Sequence, residues 1–237
     1  MAGEAGFRRI EVMVDRRPES QDADALSEMA DVYGMEICSI HAPFLLASRK
    51  VWGRPLEKIE RSMEMARRLG AGLVVLHLPY FWQVEYARWL YHNLNALNRS
   101  QDLVLAVENA IYVNVGRRIN LSFFNDLEEL SKFDDIVLDT SHFAISHTDI
   151  FHAWNALRKK VRHVHLSNNY LKGFDDHELP QQGNLPLDRF LATLARDGFD
   201  GCVVLELNPG SLDEKSGKSG VIERLRETLE FCRENFA

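Results

Sequence analysis

Cysteine is scarce in this chain of 237 residues: Cys38, Cys202 and Cys232 are odd in number and far apart, which suits neither a zinc ribbon nor a disulfide framework. A reducing cytoplasm fits that usage best. No apolar run approaches the roughly 20 residues that span a bilayer, and the opening MAGEAGFRRIEV lacks the basic-then-apolar layout of a signal peptide. The sequence therefore reads as cytoplasmic, with no membrane partner. Positive charge is in deficit too: 28 Lys and Arg against 35 Asp and Glu leave a net charge of −7. The basic residues come as short scattered groups such as Arg67-Arg68 and Arg158-Lys159-Lys160, which suit solvated helix faces. This balance argues against nucleic acid as a partner. Gly-rich phosphate loops, low-complexity tracts and interdomain linkers are also missing. What remains is a chain with 46% hydrophobic residues, long enough for one large domain over residues 1–237.

Short aliphatic runs recur along it: RIEVMV (9–14), EICSIH (36–41), LVVLHL (73–78), LVLAVE (103–108), DIVLD (135–139), RHVHLS (162–167) and CVVLEL (202–207). They are too continuous for strands with one wet face, so they read as strands buried on both faces of a parallel sheet. Between them lie apolar positions at helical spacing, including Leu56, Ile59, Met63, Ala66 and Leu69, then Leu187, Phe190, Leu191 and Leu194, then Ile222, Leu225, Leu229 and Cys232. Gly34, Gly70 and Gly198 stand where helices should stop. The fold class is therefore α/β, a TIM-type (β/α) barrel with seven visible strands. Connections into strands are brief, as at 70–72, whereas those leaving strands are long. The longest, 168–185, has the size of a functional or mobile loop. The working face is thus expected at the strand C-termini.

That face carries chemistry. His41 ends the second run, His77 lies in the third, Glu108 ends the fourth, Asp139 ends the fifth, His165 lies in the sixth and Glu206 in the seventh. Any one of them alone reads as readily as a hydrogen-bonded core histidine, a helix cap or a salt-bridge partner. Together they converge, because parallel barrel strands aim their C-terminal ends at a common centre. Mixed carboxylate and imidazole donors suit Mn²⁺, Mg²⁺, Co²⁺ or Zn²⁺. His142, three residues past Asp139, is expected on the strand-exit loop. Trp52, Phe81, Trp82 and Phe143 are candidates to wall a ligand pocket or to pack as core.

The motifs SIHAPF (39–44), LVVLHLP (73–79), LAVEN (105–109), LDTSHFA (138–144), HVHLSNN (163–169), DDHELPQQGNL (175–185) and VVLELNPG (203–210) span nearly the whole chain. In order and context they resemble the xylose isomerase-like barrel superfamily, which holds sugar isomerases and epimerases as well as endonuclease IV repair enzymes. The opening AGFRRIEV (5–12) resembles the end of that family's first helix running into its second strand. The resemblance therefore implies either that the first βα unit is missing or that the N-terminus is natural and the barrel stays open; both leave a seam between RIEVMV and the last strand that a loop or a partner chain can cover, so a homo-oligomer stays open. It further implies that Glu108, Asp139, His165 and Glu206 bind one divalent metal and that Glu108 and Glu206 are catalytic. They would exchange a proton beside the carbonyl of a small ketose through an enediolate whose charge the metal stabilises. His142 and His177, with His77 and His41, would contact the carbohydrate. In the endonuclease IV pattern His41, His77, His142, Asp175 and His177 would hold additional metals instead. That alternative is a phosphodiesterase acting on abasic DNA, and a non-catalytic carbohydrate-binding barrel is the second alternative.

Overall fold

The computed structural model describes residues 1–44, 48–114 and 116–236. Its strands are β1 (Arg9–Met13), β2 (Glu36–His41), β3 (Leu73–His77), β4 (Val104–Glu108), β5 (Tyr112–Asn114), β6 (Arg118–Asn120), β7 (Ile136–Asp139), β8 (Val161–Leu166) and β9 (Cys202–Leu205). Its α-helices are α1 (Ala2–Ala5), α2 (Ala23–Tyr33), α3 (Pro55–Leu69), α4 (Val84–Asn98), α5 (Leu127–Leu130), α6 (Thr140–Ser146), α7 (Ile150–Leu157), α8 (Leu187–Arg196) and α9 (Gly217–Asn235). The main sheet has seven strands in the order β1-β2-β3-β4-β7-β8-β9, so β1 and β9 end the strand order. Each of these strands overlaps one of the aliphatic runs read from the sequence. The chain divides into two compact units, residues 8–110 with 121–137, and residues 1–7 with 111–120 and 138–237.

In the first unit, β1 to β4 and the start of β7 pair in parallel. Alternation of side chains sends Leu73, Val75, Ala106 and Val137 into one apolar cluster, with Val104 packed against it. Val74, Leu76, Leu105 and Val107, on the opposite face, are also fully buried. Burial on both sides explains why these strands read as unbroken aliphatic runs. Gly34 and Gly70 close α2 and α3 in the left-handed region, at φ 60° and 70°, where a side chain would be strained.

In the second unit β8 pairs in parallel with β9, and α9 packs against α1 and α8. The hairpin formed by β5 and β6, whose strands are three residues each, is not expected from the aliphatic runs. The Arg118 guanidinium ties this hairpin to the end of α6 by donating to the Ser146 carbonyl. Among the described residues no helix is long and apolar enough to cross a membrane.

Candidate functional site

Strand register places the ionisable groups of the first unit. His77 and Glu108 face each other across β3 and β4, while His41 is paired with Val75, two residues before His77. Since residues two apart share a face, His41, His77 and Glu108 emerge together above the cluster containing Val75 and Ala106. His77 Nε2 lies 3.3 Å from His41 Nε2 and 3.2 Å from Glu108 Oε2, and His41 Nε2 is 3.5 Å from the same carboxylate oxygen. A tetrahedral divalent ion with bonds of about 2.0–2.1 Å has ligand-to-ligand edges of about 3.3 Å. The three donors therefore fit such an ion. Tyr86, buried in α4, fixes the strand end from behind by donating its hydroxyl to the His77 carbonyl at 2.9 Å.

The second unit holds a comparable group. His142 Nε2 lies 3.4 Å, and His177 Nε2 2.9 Å, from the same oxygen of Asp175. Asp139 joins His142 and His177, with one donor atom of each within 4.8 Å of the others. Burial alone would raise the Asp175 carboxyl, but the charge of His142 and the bonds from both imidazoles hold it well below the usual carboxylate range. His177 moves the opposite way. Burial disfavours its charged form, yet the Asp175 bond and the carboxylates of Asp139, Asp175 and Glu206 push it up to about 9. Separately, His165 is paired with Val204 in the β8–β9 register, so Glu206, two residues on, falls beside it. His165 Nδ1 and Glu206 Oε2 are 2.8 Å apart.

His142 departs from the expected loop position. It sits in the first turn of α6, and Asp139 is that helix's N-cap, accepting the His142 backbone N–H at 2.6 Å. One carboxylate oxygen thus terminates β7 and starts α6, which satisfies an otherwise orphaned helix donor.

Several polar residues that sequence reasoning missed hold these groups. Ser141 donates its hydroxyl to Asp175 Oδ1 at 2.8 Å, and Asn169 donates to Ser141 Oγ at 3.0 Å and to the Phe174 carbonyl at 2.8 Å. Ser167 Oγ lies 3.1 Å from His177 Nδ1. The 168–185 segment is accordingly stapled. Asn168 donates to the carbonyls of Pro180 and Leu185, and accepts from the N–H groups of Asn169 and Leu185. Only the serine within LDTSH and the Ser-Asn-Asn run ending HVHLSNN hinted at this role.

The profile of the xylose isomerase-like TIM barrel family matches residues 1–235. The chain belongs to that family. A Mycobacterium tuberculosis protein of uncharacterised function is 30% identical over 98% of this chain and 89% of its own length. A Streptomyces coelicolor protein, provisionally named hydroxypyruvate isomerase, is 26% identical over 92% of this chain and 86% of its own. Among solved structures, 3-keto-D-glucoside 4-epimerase from E. coli superposes with a TM-score of 0.67 at 16% identity, covering 98% of this chain and 90% of that one. L-ribulose 3-epimerase gives 0.65 at 17%, covering 98% and 85%. A family 2 AP endonuclease from Brucella melitensis gives 0.66 at 18%, covering 92% and 90%. At these identities the superpositions establish the fold, a TIM barrel.

Proposed function

We propose that the protein is a cytoplasmic, divalent-metal-dependent isomerase or epimerase of a small ketose or related carbohydrate. The observation that carries this reading is that each proposed proton carrier stands against a strand histidine: Glu108 against His77 at 3.2 Å, and Glu206 against His165 at 2.8 Å. The family motifs assign Glu108, Asp139, His165 and Glu206 as metal ligands, and the mixed donor set suits Mn²⁺, Mg²⁺, Co²⁺ or Zn²⁺. A cation held there supplies Lewis acidity that stabilises charge developing on the substrate's oxygens.

The chain's own groups do the rest. One of Glu108 and Glu206 takes the proton from the carbon beside the carbonyl, and the same or the other glutamate returns it. Glu108 is almost fully buried, with the imidazoles of His41 and His77 beside its carboxylate. His142 and His177 contact the substrate, with Asp175 fixing the orientation of both rings. Isomerase and epimerase relatives on the same fold support the choice. Elemental analysis of purified protein, followed by a ketose screen with and without chelator, tests it.

A second reading has one observation in its favour. Two triads of two histidines and one carboxylate, His41–His77–Glu108 and His142–His177–Asp175, suit more than one metal, as an abasic-DNA phosphodiesterase of the endonuclease IV type would require. Against it stand the net charge of −7 and the acidic Asp176 and Glu178 flanking the triad, which repel a phosphate backbone.

A further inference from the structure

The first unit has a concave feature whose lining does not include His41, His77 or Glu108. A cavity of about 520 Å³ lies at the N-terminal ends of α3 and α4, with Arg54, Glu57, Trp82, Glu85 and Tyr86 among its lining residues. We propose that this cavity binds one ring of a neutral saccharide, stacked on the Trp82 indole. The volume lies within the range of small-molecule sites.

Trp82 is the reason for choosing a ring. It is 61% exposed, although tryptophan is normally far more buried. One face of the indole is covered by Tyr80, whose ring lies parallel at 4.7 Å with 7° between planes, yet most of the Trp82 side chain stays accessible. Tyr80 is itself fixed, since its N–H donates to Gln83 Oε1 at 2.9 Å, its carbonyl accepts the Gln83 N–H at 2.8 Å, and it bridges to Ser122. The exposed ring is thus held in place before any ligand arrives, and little side-chain entropy is lost on stacking.

Charge and shape select among ring-shaped ligands. Glu57 and Glu85 set two carboxylates against one guanidinium, and the Glu57 carboxylate already accepts the Arg54 N–H at 2.8 Å at the start of α3. A phosphorylated ligand meets repulsion there. A quaternary ammonium needs an aromatic cage, but Tyr86 is only 2% exposed, so Trp82 is the one open aromatic among the cavity's lining residues. A sugar ring satisfies both limits: its C–H face covers the indole, while its hydroxyls donate to carboxylates and accept from Arg54. Tyr86 also joins the cavity to the triad, stacking on Phe44 at 4.9 Å and holding the His77 carbonyl.

The inference rests on the carbohydrate reading above for its ligand class. Its test is a titration of chelator-treated full-length protein, following the Trp82 indole N–H resonance by NMR, assigned from its loss in Trp82→Ala. Methyl β-D-glucopyranoside, cellobiose and maltose are the probes, beside inorganic phosphate and choline. Saturable movement of the Trp82 signal with at least one saccharide is expected, with calorimetric affinity weakened about tenfold in Trp82→Ala. No movement with any saccharide, or movement with phosphate or choline instead, overturns the inference. Ketose interconversion, assayed on the same protein after reloading with Mn²⁺, Mg²⁺, Co²⁺ or Zn²⁺, separates the two claims. Turnover without a Trp82 response sinks the saccharide cavity alone, whereas a Trp82 response without turnover upholds the cavity and sinks the isomerase reading.

Discussion

His77 and Glu108 are register partners across β3 and β4, and their side chains meet at 3.2 Å where the strands end. The contact follows from sheet geometry: the face that buries Val75 and Ala106 must present the next alternate residues, an imidazole and a carboxylate, at the strand C-termini. Glu108→Gln keeps the shape of the side chain and removes its capacity to take a proton. It is expected to lower turnover by about 10²–10⁴-fold, as is Glu206→Gln, with unchanged circular dichroism. Retention of more than roughly a tenth of the wild-type rate by either variant contradicts the proton-carrier role.

Asp175 and His177 separate the two enzyme readings. If they position substrate, Asp175→Ala/His177→Ala keeps the metal content of the wild type and raises KM. If they complete a further metal site, the variant loses one metal per chain, and abasic-duplex nicking disappears with it. Metal analysis beside a nicking assay distinguishes the outcomes, and the first is expected.

Asn168 is a structural clasp for the long 168–185 segment. Its four hydrogen bonds run to buried or half-buried backbone, and Gly183 packs so closely on its carboxamide that an added Cβ would fall 2.5 Å from Oδ1. Asn168→Ala should cost about 1–3 kcal/mol and lower Tm by several degrees. Limited proteolysis should then cut first between residues 170 and 183. Unchanged Tm and unchanged cleavage would remove Asn168 from this role.

These assignments show where the sequence was readable. Five strands, β2, β3, β4, β7 and β8, announced themselves because both faces are largely buried, β1 and β9 by their aliphatic content although they are mostly half-buried, and the helices of α3, α8 and α9 by their apolar spacing. The strand-end acids and histidines stood out against those aliphatic runs. The hairpin of Tyr112–Asn114 and Arg118–Asn120 did not, since three-residue strands carry too little alternation to register. Nor did the start of α6 directly after Asp139, where the pattern shows a polar Thr-Ser-His stretch and the helix depends on a single cap. Ser141, Asn168 and Asn169 were hidden for a related reason: their roles come from partners distant in sequence, and short polar residues in a loop have no periodicity to betray them.

Lys58 supplies a pH-dependent test of the loop that leaves His41. It is 4% exposed, and its ammonium donates to the carbonyls of Pro43 at 2.5 Å and Ser48 at 3.0 Å. Burial pushes its pKa below the ordinary lysine value of about 10.4. In the interval between the folded and unfolded values the unfolded chain binds more protons, so the lysine's contribution to stability rises with pH there. The Tm difference between wild type and Lys58→Met should therefore shift in favour of wild type as pH climbs from 7 towards 10. A constant difference over that range contradicts the buried-ammonium account.

The central claim is that this barrel moves a proton on a carbohydrate carbon with the help of a divalent metal. Proton NMR of a panel of ketoses and hydroxypyruvate in deuterated water, with the protein loaded with Mn²⁺, Mg²⁺, Co²⁺ or Zn²⁺ in turn and then treated with chelator, tests it most directly. Metal-dependent interconversion of at least one compound, abolished by chelator and by Glu206→Gln, is the predicted result. Absence of interconversion across the panel, together with efficient nicking of an abasic duplex by the same preparations, would contradict it.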